Sequence, residues 1–141
     1  MSTISLPARV RDDRSRFADP QITAAGEPRA HVALGSLETL WFNTGTLCNI
    51  ACESCYILSS PSNDALVYLT LDDVTGYMDE IRDHRLGTRE IGFTGGEPFR
   101  NPEMPSMARA VLERGFEVLV LTNAMRPMMR PSVQTALAAL A

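Results

Sequence analysis

Histidine is nearly missing from this chain of 141 residues: only His31 and His84 carry an imidazole. Long apolar runs are missing too. None approaches the roughly 20 residues that a bilayer-crossing helix needs, which argues against a helical membrane span. The segment Met1 to Phe17 is rich in Arg and Asp and has no apolar core, so it does not read as a secretory signal. Positive charge is also in deficit. Thirteen Lys and Arg face 17 Asp and Glu, for a formal charge of −4. Such a chain has no overall field to hold nucleic acid by counterion release, and no clear nucleic-acid site is legible. A local basic patch that meets a tRNA stays open. Apolar residues make up 45%, which is globular composition, and the length suits one modest domain with one core.

Cysteine is scarce as well, and all of it lies in one place. Cys48, Cys52 and Cys55 stand within Cys48-Asn49-Ile50-Ala51-Cys52-Glu53-Ser54-Cys55-Tyr56, with three and then two residues between them. Buried cysteines used only as small apolar residues would be scattered along the chain. A disulfide would use two thiols and strand the third, and so tight a loop strains the bridge. Structural zinc takes four ligands, so His31 or His84 would have to join the three thiols. A four-iron cluster usually takes four thiolates. Held by three, it keeps one iron open to a ligand, by the logic that separates catalytic from structural zinc. Clustered free thiols without an export signal suit a reducing cytoplasm, the expected compartment.

The chain reads in order as follows. Residues 1–36 form a polar, irregular leader broken by Pro7, Pro20 and Pro28. Its Arg9, Arg11, Arg14 and Arg16 sit among acids, which reads as a loosely docked leader rather than a binding segment. Leu37 to Asn43 is the first expected strand. Gly45 opens the cysteine loop, which runs through Ser59-Ser60-Pro61-Ser62-Asn63 to about Ala65. Thr70 is an expected N-cap with Asp73 as its capping-box partner. Val74, Tyr77, Met78 and Ile81 give that helix a buried face, and His84 falls in its last turn. Glu90 to Thr94 is a short second strand, followed by Gly95-Gly96-Glu97-Pro98. Asn101-Pro102 is expected to start the next helix, with Met107, Val111 and Leu112 buried and Gly115 closing it. Phe116 to Leu121 reads as a strand buried on both faces, ending at Thr122-Asn123. Pro131 opens a last helix carrying Val133, Leu137 and Leu140. No internal repeat is present.

Strands alternating with helices imply an α/β fold with a parallel sheet. Ligands in such folds bind at the carboxyl ends of the strands, where the cysteine loop, Gly95 to Pro98, and Thr122-Asn123 all fall. The glycine pair allows close backbone approach and unusual dihedrals. Glu97, presented between the glycines and Pro98, suits a ligand ammonium group.

The three-cysteine spacing, with Gly95-Gly96-Glu97-Pro98 one βα unit later, resembles the radical S-adenosylmethionine (radical SAM) superfamily. The wider stretch CNIACESCY is similar to its peptide-modifying and sulfatase-maturing branch. The resemblance covers about Leu37 to Asn123. It implies a partial TIM-like (βα) barrel, with residues 37–141 as the N-terminal half of the core domain. It implies that Cys48, Cys52 and Cys55 ligate a [4Fe–4S] cluster and that SAM chelates the open iron. Glu97 would bind the SAM ammonium, beside cofactor contacts from Gly95, Gly96, Pro98, Tyr56 and Asn123. The implied activity is reductive cleavage of SAM to a 5′-deoxyadenosyl radical that abstracts a substrate hydrogen. A flavodoxin- or ferredoxin-type protein would supply the electron. The substrate is unidentified, with a peptide as the branch's suggestion.

This sequence departs from the family at three points. Ser54 stands where an aromatic often precedes the third cysteine, Tyr56 coming after it instead. Thr122-Asn123-Ala124 replaces the frequent Thr-Asn-Gly. Three βα units are legible where the family typically has six, so a truncated part of a longer enzyme is the expectation. Three strands alone would leave an apolar sheet face and an open edge. Two other readings compete: a non-catalytic zinc module completed by His31 or His84, and an iron–sulfur electron carrier indifferent to SAM.

Overall fold

A computed structural model describes residues 19–23 and 25–140 of the chain. Arg9, Arg11, Arg14 and Arg16 of the expected leader lie outside the described residues. The chain divides into two units, Met1–Leu34 and Gly35–Ala141. In the described part of the first, Asp19 Oδ1 accepts from the amides of Gln21 and Ile22 at 2.7 and 3.1 Å. Ile22 and Pro28 form an isolated antiparallel bridge across a turn at Gly26.

The second unit is built on three parallel strands, β1 (Thr39–Asn43), β2 (Glu90–Thr94) and β3 (Glu117–Val120), in the order β1-β2-β3. The register aligns Leu40, Ile91 and Val118 in one row and Phe42, Phe93 and Val120 in another. These side chains face the core, where the Phe42 and Phe93 rings stack with centroids 5.8 Å apart. The helices α1 (Leu71–His84), α2 (Met104–Glu113) and α3 (Pro131–Ala138) contribute Val74, Met78, Ile81, Met104, Met107, Val111 and Val133 to that core.

The start of α1 follows from its local sequence. Thr70 Oγ1 accepts from the Asp73 amide, and Asp73 Oδ2 accepts from the Thr70 amide at 2.9 Å, a complete capping box. Tyr77, expected in the core, is 51% exposed; only its ring edge reaches the sheet, with its centroid 5.6 Å from that of Phe42. The opening of α2 differs from expectation. Pro98 starts a 3-10 turn (Pro98–Arg100), and the helix itself begins at Met104, with Pro105 in its first turn. Asn101 is buried between the two rather than leading the helix. Leu112 is 40% exposed, because the buried stripe of α2 runs through Met104, Met107, Ala108 and Val111, one step round the helix.

Strand β3 is not covered on both faces. Val118 and Val120 pack on the core, while Leu119 and Leu121 are exposed. On that open face Trp41 lies over Gly92, and a methyl at Gly92 would stand 2.5 Å from the indole Cδ2. Trp41 is itself 43% exposed, so the expected apolar face is present. No described helix is long and apolar enough to cross a membrane.

Candidate functional site

Each strand of the parallel sheet ends on the same rim, at Asn43, Thr94 and Val120. The cysteine loop leaves the first, Gly95 to Pro98 the second and Thr122-Asn123 the third. Backbone hydrogen bonds sew these loops together. The Gly96 amide donates to the Gly45 carbonyl at 2.9 Å and the Glu97 amide to the Leu47 carbonyl at 3.1 Å. Within the loop, Leu47 and Ser60 form a bridge, and the Cys48 amide donates to the Ser60 carbonyl at 3.0 Å.

The glycine pair allows this contact. Gly95 has φ of +125°, and a methyl there would stand 2.6 Å from the Gly45 carbonyl oxygen and 2.7 Å from Asn43 Oδ1. A methyl at Gly96 would stand 2.7 Å from the Leu47 carbonyl carbon. Both hydrogens thus face the backbone of the cysteine loop. Gly95→Ala combines overpacking with left-handed strain, and is expected to cost on the order of 3 kcal/mol. A urea titration checks this: a midpoint unchanged from wild type would show that the two loops are not locked together at Gly95.

Glu97 is 2% exposed, and its carboxylate is held by three donors. Oε1 accepts from Thr122 Oγ1 at 2.8 Å and from the Phe99 amide at 3.1 Å; Oε2 accepts from the Asn123 amide at 2.9 Å. A carboxylate offers about four acceptor positions, so one remains on Oε2. Pro98, fully buried, fixes the chain's exit from Glu97 into the 3-10 turn. Asn123 links the site across the rim. Its Nδ2 donates to Asn49 Oδ1 at 2.9 Å and lies 3.8 Å from Cys48 Sγ. The structure thus brings together Cys48, Gly95, Gly96, Glu97, Pro98 and Asn123.

The other predicted residues are less enclosed. Cys48 is buried, Cys55 half-buried and Cys52 exposed, and none is in a disulfide. The Ser59 amide, 3.3 Å from Cys55 Sγ, is the main cause that holds the Cys55 thiol below its ordinary range; the Ile57 amide adds to it. A thiol so biased toward thiolate is a better metal ligand. Tyr56 is 75% exposed and makes no ring contact among the described residues. Among the described residues, no three His, Cys, Asp or Glu side chains stand close enough to hold a metal ion. Three thiols on one loop have the donor chemistry of an iron–sulfur cluster, and the loop would have to draw them together to hold one.

His84 lies at the far end of α1 from these thiols. It ends α1, a helix of 14 residues or about 21 Å. The cysteine loop sits at the rim where α1 begins, and His84 at the end where β2 starts. His31 belongs to the other unit and is exposed.

Four further residues serve the site without having been singled out as ligands. Asn101 Nδ2 donates to the Leu69 carbonyl at 2.7 Å, and its Oδ1 accepts from the Glu103 amide at 2.9 Å. Thr122 and Asn49 hold Glu97 and Asn123. Arg100 Nη1 donates to the Cys48 carbonyl at 3.4 Å. Asn101 carried a local signal, since Asn-Pro favours a turn, and Thr122 stood in the strand-end pair already marked as a rim loop.

A parallel α/β sheet with a thiol loop and a buried carboxylate on its carboxyl rim defines a protein whose chemistry sits at the strand ends. The family model of the radical SAM superfamily matches residues 42–141, and the chain belongs to that superfamily. It is 35% identical over 80 residues to a GTP 3′,8-cyclase of Rhodococcus opacus (strain B4), covering 55% of this chain and 22% of that protein. Its fold is similar to that of Streptococcus suis SuiB, solved bound to S-adenosylmethionine. The TM-score is 0.58 at 21% identity, over 73% of this chain and 22% of SuiB. The three-stranded parallel sheet thus has the fold of a partial radical SAM barrel, and the chain spans 22% of the length of each of these two relatives.

Proposed function

We propose that this chain is the cluster-holding part of a radical SAM enzyme. Cys48, Cys52 and Cys55 would hold a [4Fe–4S] cluster, and Glu97 would receive the SAM ammonium at the free position of Oε2. A cluster so held would supply one-electron chemistry for reductive cleavage of SAM, with the electron drawn from an external protein reductant, toward a radical that abstracts a substrate hydrogen. The chain's own residues bind and orient. Cys55 is biased toward thiolate, Asn123 spans Cys48 and Glu97, and the glycine pair keeps the thiol loop pressed to the carboxylate. The observation that carries this reading is the hydrogen-bonded path from Glu97 Oε2 through Asn123 to Asn49 and Cys48. That path connects Glu97 and Cys48 across one rim, which supports reading them as the ammonium acceptor and the first cluster thiol. Gly95, Gly96 and Pro98 would shape the SAM edge, and Tyr56, exposed on the loop, would close on the adenine side. A peptide substrate, a flavodoxin- or ferredoxin-type reductant and a cytoplasmic setting complete the proposal; CNIACESCY supports the peptide-modifying branch.

Electron paramagnetic resonance on anaerobically reconstituted, reduced protein tests the reading. A reduced [4Fe–4S] signal that shifts on adding SAM is the expected result. A signal indifferent to SAM would remove the SAM site and favour an electron carrier. Retained zinc with no cluster would overturn the cluster assignment.

A further inference from the structure

Next to the rim, three arginines share one cleft. Arg100, Arg126 and Arg130, with Pro127, line a space of about 310 Å³. That is near the lower end of the ~300–1,000 Å³ usual for small-molecule sites. The chain as a whole is acidic, yet among the described residues no Asp or Glu forms an ion pair with any of the three. Of the two carboxylates nearest Arg100 in sequence, Glu97 is occupied by Thr122 and the amides of Phe99 and Asn123, and Glu103 accepts from the Leu71 amide.

Two of the guanidinium groups are fixed by the backbone. Arg130 Nε donates to the Pro127 carbonyl at 3.0 Å and its Nη2 donates to the Phe99 carbonyl. Arg100 Nη1 donates to the Cys48 carbonyl. Each therefore keeps several of its five N–H donors for a ligand. Among the described residues, Arg126 makes no hydrogen bond or ion pair, so none of them accounts for its place at the cleft. Three like charges around one small space repel one another, and an anion would relieve that repulsion. Guanidinium forks match phosphate oxygens in pairs, and a tetrahedral dianion can meet several forks at once where a single carboxylate meets one.

We propose that this cleft binds the phosphate or diphosphate group of a small molecule, beside the thiol loop. The site needs neither cluster nor SAM, so it stands or falls separately from the function proposed above. The experiment is isothermal titration of the full chain with inorganic pyrophosphate at fixed ionic strength, for wild type, Arg126→Gln and Arg114→Gln. Arg126→Gln removes a side chain with no hydrogen bond or ion pair among the described residues, so the fold should survive; Arg114 caps α2 at the opposite end of the sheet. Saturable binding that weakens about tenfold or more in Arg126→Gln and stays at the wild-type value in Arg114→Gln is the expected result. No binding by wild type overturns the proposal, as does equal binding by wild type and Arg126→Gln. Equal weakening in both variants also overturns it, because the attraction would then be general charge.

Discussion

Cys52→Ala is expected to yield a folded chain that no longer retains a [4Fe–4S] cluster. Cys52 is exposed, and its described interaction is through its backbone carbonyl, which accepts from the Cys55 amide at 3.2 Å. Alanine keeps that bond, so the thermal midpoint of the apo-protein should not move. Two thiolates remain, and they leave two irons of a cubane without protein ligands. Iron and sulfide analysis after reconstitution reads the result. Wild-type iron content with an intact cluster spectrum in this variant would remove Cys52 from the ligand set. A fall in thermal midpoint before any metal is added would show that the side chain serves the fold.

Glu97→Ala carries the second large effect, and it acts on two levels. The carboxylate is buried, and its removal strands the Thr122 hydroxyl and the amides of Phe99 and Asn123. Leaving such donors without acceptors costs on the order of 3 kcal/mol, visible as a lower urea midpoint. On the proposed reading, SAM affinity also weakens by about 1.5–3 kcal/mol through loss of a charged hydrogen bond. Glu97→Gln separates the two. It keeps the shape and one acceptor oxygen but cannot pair with an ammonium. A glutamine variant that is nearly as stable as wild type and binds SAM as poorly as the alanine variant is expected. Wild-type SAM affinity in calorimetric titration of that variant would free Glu97 from ligand binding and leave it a structural role.

The legible parts of the fold were those decided by neighbours in sequence. The capping box of Thr70 and Asp73 is a contact between residues three apart, and α1 begins where it says. Strand β2 was readable from Glu90 to Thr94 because the glycine pair ends it sharply. The meeting of three loops on one rim followed from the alternation of strands and helices. What escaped depends on distant partners. Asn101 finds its acceptor at Leu69, 32 residues away, so an Asn-Pro pair that looked like a helix start became a buried clasp. The apolar run at β3 could not reveal that one of its faces would be open, since coverage comes from other elements. The glycine pair reads as room for close approach of a ligand; its hydrogens also admit the backbone of the cysteine loop, and no local signal announces that second use.

That clasp has a bearing on how readily metal could be taken up. Asn101 holds Leu69, just past the cysteine loop, and Thr44, at the end of β1 where the loop departs, lies 3.5 Å from the same amide nitrogen. Both ends of the loop are thereby pinned to one buried side chain as the chain folds. The configurational entropy of bringing its ends together is lost at that stage. On the proposed reading, iron arriving later would have only side chains and the inner turn to order, so less of its binding free energy would be diverted into folding. If the thiols take metal as proposed, Asn101, whose amide nitrogen meets the Thr44 and Leu69 carbonyls, would set part of their affinity for it.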